Sequence, residues 1–161
     1  MTTRSVSIEP VVKIVRVACS PEEAFRYFTV DLSIWLPVAT HYVVAYESEF
    51  NDNPAAVIFE PRVGGRILER TSSGEEHLWG TVLTWEPPTL VVFSFHPGRT
   101  EKEAQRVEVR FSPAAEGARV VLTHSGWDKL TAKAQKSRDS YNQGWETVFV
   151  AAYPEYVHSR K

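Results

Sequence analysis

The residues of this chain whose types and spacing could do chemistry are two adjacent glycines beside an arginine, the histidines, three groupings of carboxylates and a lone cysteine. The glycines come in Pro61-Arg62-Val63-Gly64-Gly65-Arg66. A phosphate cradle uses glycine so that backbone N–H groups can reach the anion, and it runs straight into a helix whose N-terminus adds positive field. Here the pair is followed by Ile67-Leu68-Glu69-Arg70-Thr71, the turn-forming Ser72-Ser73-Gly74 and a second β-like run, with no Gly-Lys-Ser/Thr. The pair therefore reads as a bend or bulge between strands, a conformation that glycine enters at low steric cost. Arg66 becomes a solvated strand residue.

His124 shares strand parity with Val120 and Leu122, which puts it on an apolar face near the mouth of any cavity there. Two roles compete for it, hydrogen-bonding or general-base chemistry and that of a satisfied core histidine. His41, His77 and His96 begin or end strands. A zinc site needs three or four ligands converging at ~2 Å, and no pair here has the short spacing of a zinc motif, so no metal is expected. Glu22/Glu23 belong to a helix start, while Glu75/Glu76 and Glu101/Glu103 lie in turns. A catalytic Cys19 would need a paired base, and Asp139-Ser140 offers no nucleophile elbow. No catalytic residue and no cofactor is expected from these patterns, and enzymatic activity stays an open alternative.

The elements that must position these residues follow from pattern. Val11 to Val17 is rich in β-branched residues and reads as a strand. Ser20-Pro21-Glu22-Glu23 forms a capping box with proline at the first helical position, opening a helix to about Thr29. Asp31 is placed to cap a second short helix, Leu32 to Leu36, closed by Pro37. Strands are expected at His41–Phe50, Ala55–Glu60, Arg66–Thr71, Glu76–Trp85, Leu90–His96, Arg106–Ser112 and Ala118–Ser125. Their short turn-forming separators imply an antiparallel meander. From about Lys133 to His158 a 3/4-spaced apolar stripe predicts a long helix, with a kink or end expected at Pro154. The sum is an α+β helix-grip layout: a curved antiparallel sheet of six or seven strands, two short helices after the first strand, and a long C-terminal helix packed over the sheet.

A chain of 161 residues is expected to form one domain with its core at about residues 11–158. Its net charge of -2 argues against a nucleic-acid partner. The start, MTTRSVSIEP, lacks an apolar leader, no run reaches the ~20 apolar residues of a membrane span, and one cysteine fits a reducing compartment, so a cytoplasmic location is expected. Rings are the informative excess. Aromatic residues make up 12% of the chain, which favours a thick core or a ring-lined cavity.

The ordered set Ser20-Pro21-Glu22-Glu23-Ala24-Phe25, Trp35-Leu36-Pro37, Pro61-Arg62-Val63-Gly64-Gly65-Arg66, Gly80-Thr81-Val82-Leu83 with Pro87-Pro88, Thr123-His124-Ser125-Gly126-Trp127 and Gly144-Trp145 resembles the SRPBCC or START-like superfamily. Within it, the chain is similar to the domain related to the activator of heat-shock-protein-90 ATPase. The resemblance implies a sheet gripping a C-terminal helix over a hydrophobic cavity. It also implies a small apolar ligand, with a chaperone as a possible further partner and a connection to stress response. Some members of the superfamily are cyclases, dehydratases or hydrolases.

The expected function is binding of a small hydrophobic or aromatic molecule between sheet and C-terminal helix. The alternatives are a co-chaperone-like interaction module and a cyclase or hydrolase using the same cavity, with His124 and Tyr141 as its polar groups. Candidate cavity residues are Trp35, Trp79, Phe93, Phe95, Phe111, His124, Trp127, Tyr141, Trp145 and Val148. Trp35 and Trp127, at element ends, are expected at the mouth. Along the strand of Trp79, Leu78, Gly80 and Val82 alternate with Trp79, Leu83 and Trp85, so the facing of Trp79 is left open. Monomer and homodimer are both compatible with these patterns.

Overall fold

The computed structural model describes residues 8–36 and 54–160. The expected strand His41–Phe50 lies outside the described residues. β1 (Val11–Val17) is followed by α1 (Pro21–Thr29) and α2 (Leu32–Trp35). A meander follows: β2 (Pro54–Phe59), β3 (Arg66–Thr71), β4 (Glu76–Glu86), β5 (Leu90–Phe95), β6 (Gln105–Ala114) and β7 (Gly117–Ser125). The sheet has seven strands in the order β1-β7-β6-β5-β4-β3-β2, all neighbours antiparallel, and it curves into a half-barrel.

After the 3₁₀ segment Trp127–Lys133, one helical run crosses the concave face as α3 (Ala134–Trp145), a π-helical stretch Glu146–Ala152, and α4 (Tyr153–Ser159). Pro154 neither ends the run nor interrupts an α-helix. It stands at the start of α4, where its missing N–H costs least, and the change of winding falls in the π segment ahead of it.

The capping box forms as its residues dictate. The Ser20 hydroxyl accepts from the Glu23 N–H at 3.1 Å, and the Glu23 carboxylate accepts from the Ser20 N–H at 3.4 Å. Asp31 does not cap α2. Its Oδ2 instead accepts the Tyr156 hydroxyl at 2.8 Å, tying the end of the C-terminal run to the α1–α2 corner. The glycine pair is a bend: Gly64 takes φ +80° and donates to the Val82 carbonyl at 2.8 Å, while a side chain at Gly65 would strike the Glu60 carbonyl oxygen. Exposed Arg66 lies between Glu60 at 3.3 Å and Glu76 at 3.5 Å, and its hydrogen bonds hold the Glu60 carboxyl below the usual range.

Two ring clusters fill the space under the helix. The first gathers around Phe28, whose ring lies within 6.2 Å of Trp35, Phe111, Phe149 and Tyr153, with Phe25 joining through Phe111. Tyr153 stacks on Phe149 at 5.6 Å and donates its hydroxyl to the Ala24 carbonyl at 2.6 Å. The second runs through Trp79, Phe93, Phe95, His124, Trp127, Tyr141 and Trp145. Phe59 links the two, 5.6 Å from Phe93 and 6.2 Å from Trp85, whose ring meets Phe25. No helix among the described residues is long and apolar enough to cross a membrane.

Candidate functional site

Beside the second cluster, a cleft of about 770 Å³ lies between the end of β5 with its following loop and the face of α3 running into the π stretch. Its apolar wall is Leu36, Trp79, Phe95, Trp145 and Val148. Pro97, Gly98, Arg99, Ser140, Tyr141, Gln143, Gly144 and Thr147 complete the lining among the described residues. Gly98, Ser140, Gln143 and Thr147 are exposed, so the cleft opens to solvent on that side. Behind it, Leu36, Trp79, Phe95 and Trp145 also border an apolar hollow of about 30 Å³ shared with Phe28, Leu32, Ile67 and Phe93. Those four side chains form the partition between the open cleft and the closed core.

Trp79 reaches the concave face because β4 carries bulges. The β3 pairing steps from Ile67↔Gly80 to Leu68↔Leu78, which leaves Trp79 as the extra residue, and the β5 pairing steps past Leu83 in the same way. Trp79 and Val82, three residues apart, are therefore both buried, while Leu83 is 51% exposed. The Trp79 indole donates to the carboxylate of Glu69 at 3.4 Å. Glu69 is fully buried and shares strand parity with Ile67 and Thr71, which are also buried.

His124 lies behind the cleft wall rather than at its mouth. Its ring is 4.1 Å from that of Trp127 and 4.9 Å from that of Tyr141. Nδ1 accepts the indole N–H of Trp145 at 3.0 Å, which leaves the proton on Nε2, 3.3 Å from Oε1 of Gln105. Gln105 in turn donates to the backbone carbonyl of Glu103, and the Glu103 carboxylate receives Arg99 Nη1 at 3.3 Å. A polar chain thus runs behind the wall from one cleft residue, Trp145, to another, Arg99. Burial pushes the His124 imidazolium down to a pKa of about 3, so the ring is neutral at ordinary pH. Both ring nitrogens of His124 are engaged and its surface is fully covered.

Of the residues expected to line a cavity, Trp79, Phe95, Tyr141, Trp145 and Val148 meet at the cleft. Phe93 borders the small hollow and is not among the residues lining the cleft. Trp35 and Phe111 belong to the first cluster, with the Trp35 indole donating to the Tyr27 carbonyl at 2.8 Å. Trp127 is 1% exposed and donates to the His124 carbonyl at 3.0 Å. Trp35 and Trp127 are therefore in the core, because each indole N–H finds a buried carbonyl that a cavity mouth would not supply. Sequence reasoning missed Arg99, Gln143, Ser140 and Thr147. The last three extend the helical stripe that includes Gly144 and Trp145, whereas Arg99 lies in a loop without periodicity.

This architecture, a half-barrel sheet closed on one long C-terminal helix, is that of the SRPBCC or START-like superfamily. Residues 18–152 match the family described as activator of Hsp90 ATPase homolog 1-like protein, and the chain belongs to that family. A solved anthrahydroquino-γ-pyrone synthase is 31% identical, with 84% of this chain and 88% of that one covered and a TM-score of 0.56. A protein from Mesorhizobium loti shares the fold at 19% identity and a TM-score of 0.65, covering 94% of this chain and 98% of that one. An activator-homologue-like protein from Aeromonas hydrophila does so at 17% identity and 0.58, covering 94% and 93%. No curated protein matched the chain.

Proposed function

We propose that the protein binds a planar aromatic small molecule in the cleft between β5 and α3. The observation that carries this reading is the concentration of rings on one open hollow: Trp79, Phe95, Tyr141 and Trp145 all face a space of about 770 Å³. Ligand pockets run to ~300–1,000 Å³ and combine apolar walls with a few placed polar groups. Rings favour offset or edge contacts with other rings, so a flat polycyclic ligand gains more here than a flexible chain of equal area. Family membership is compatible with ligand-binding and with co-chaperone-like roles, and the ring-lined cleft favours the first.

The test is a thermal-shift and tryptophan-fluorescence titration with 9,10-anthraquinone and 1,4-naphthoquinone against a fatty acid such as palmitate. Quenching together with a raised Tm for the quinones, in excess of any fatty-acid effect, supports the reading, because a ligand that binds only the folded state stabilises it. Flat responses to both quinones overturn it.

A second reading, a cyclase-type enzyme acting on such a molecule, is favoured by the similarity to the anthrahydroquino-γ-pyrone synthase. In that case Tyr141 and Arg99 are the groups that reach a bound substrate, since His124 is sealed behind Trp145. Mass spectrometry of aromatic polyketide precursors incubated with the protein distinguishes turnover from simple binding.

A further inference from the structure

We infer that the cleft's ligand carries an acidic oxygen, a carboxylate or an ionised phenol, and that Arg99 receives it; this rests on the aromatic-binding reading and specifies its ligand class. Arg99 is the one charged residue among the described residues that line the cleft. Its backbone is fixed on both sides, the N–H donating to the His96 carbonyl at 2.9 Å and the carbonyl lying 3.1 Å from His96 Nδ1. The guanidinium is oriented by Nη1 to Glu103 at 3.3 Å and Nη2 to Ser137 at 3.3 Å, and its side chain is only 27% exposed.

A guanidinium carries five donors. Two contacts among the described residues occupy part of that set and hold the planar fork still, so the entropy of fixing it is already lost before a ligand arrives. Glu103, itself 39% exposed, offsets the charge without entering the cleft lining. At this solvent-facing rim the guanidinium favours a charged oxygen over an uncharged isostere through a charge-assisted, salt-screened contact. Ser140 and Gln143 add uncharged polar groups at the same rim. A flat ring system among Trp79, Phe95 and Trp145 with its acidic oxygen toward Arg99 satisfies both ends of the cleft.

The experiment is isothermal titration of the full chain with anthraquinone-2-carboxylate and anthraquinone-2-carboxamide, matched in shape and differing in charge. The expected result is a preference for the carboxylate of about tenfold or more at low salt, shrinking as salt is raised. Arg99→Met is expected to abolish the preference, and Arg99→Lys to keep part of it, a point charge without the fork. Equal affinities in the unaltered protein, or a preference that survives Arg99→Met, overturn the inference while the aromatic-binding reading stands. Failure of both probes to bind overturns both. If Arg99→Met does not fold, the salt dependence of the unaltered protein and the Arg99→Lys titration decide the matter.

Discussion

Trp145 hands its indole N–H to Nδ1 of His124 at 3.0 Å, so one wall of the cleft is held in place from behind by a buried, neutral histidine. That acceptor role fixes the tautomer and commits the other nitrogen to Gln105 at 3.3 Å. The ring is thereby committed to two hydrogen bonds, one of which holds the Trp145 indole at the cleft wall.

Replacing His124 with leucine keeps roughly the volume and removes both bonds. The Trp145 N–H and the Gln105 amide oxygen are then left buried without this partner, at about 1–3 kcal/mol each. Chemical denaturation is expected to show a loss of roughly 2–6 kcal/mol, together with a shifted tryptophan emission. A variant within about 0.5 kcal/mol of the unaltered protein would remove His124 from this role.

Acid stability follows from the same ring. The folded-state pKa of His124 is depressed by burial to about 3 from 6.5, so between those values the unfolded chain binds the extra proton. Stability from this group is present above pH 6.5, falls as pH drops through the window, and levels off near pH 3. Its slope reaches at most about 1.4 kcal/mol per pH unit. Denaturation midpoints of the unaltered protein and of His124→Gln, measured from pH 7 to pH 4, are expected to converge as pH falls. Parallel curves would assign the acid loss to carboxylates such as Glu60, which Arg66 holds below the usual range.

Much of the fold is legible in short sequence signals because each acts locally: Ser20 and Glu23 close their own cap, and the adjacent Gly64 and Gly65 make the bend after β2. The cleft is legible only in part. Helical periodicity marks Tyr141, Trp145 and Val148, and strand alternation marks Phe95, but neither carries across a bulge or into a loop. Trp79 turns inward because an extra residue shifts β4, and Arg99 reaches the cleft through a loop fixed by His96. Whether a ring lines a hollow or fills the core depends on partners distant in the chain. Phe95 and Phe111, both inward-facing strand residues, end in different clusters for that reason.

Gly80 tests the bulge. A Cβ there would lie 1.7 Å from the carbonyl oxygen of Ser94 on the neighbouring strand, a contact with backbone that no rotamer change relieves. Gly80→Ala is expected to cost more than about 3 kcal/mol or to prevent folding, well beyond the ~1 kcal/mol typical of a point change. Alanine at exposed Gly74 is the strained but uncrowded control, since nothing lies within 4 Å of its added carbon. If both substitutions behave alike, crowding at Gly80 is not what holds β4 against β5.

Cleft and core can be separated by a pair of substitutions with opposite signatures. Thr147 is exposed and lines the cleft, so Thr147→Trp places a ring into the hollow without removing any core contact. Tm is expected to stay within about 2 °C, while calorimetric affinity for 9,10-anthraquinone falls by about tenfold or more, because the added ring occupies the ligand's volume. Phe111 lies in the other cluster, between Phe25 and Phe28, away from the cleft lining. Phe111→Leu is expected to lower stability by about 1–2 kcal/mol through lost packing and to leave affinity within about twofold. The double dissociation follows from geometry: one change fills space that nothing structural uses, the other empties space that only the fold uses. Loss of binding in Phe111→Leu with binding retained in Thr147→Trp would move the ligand out of the cleft and into the first ring cluster.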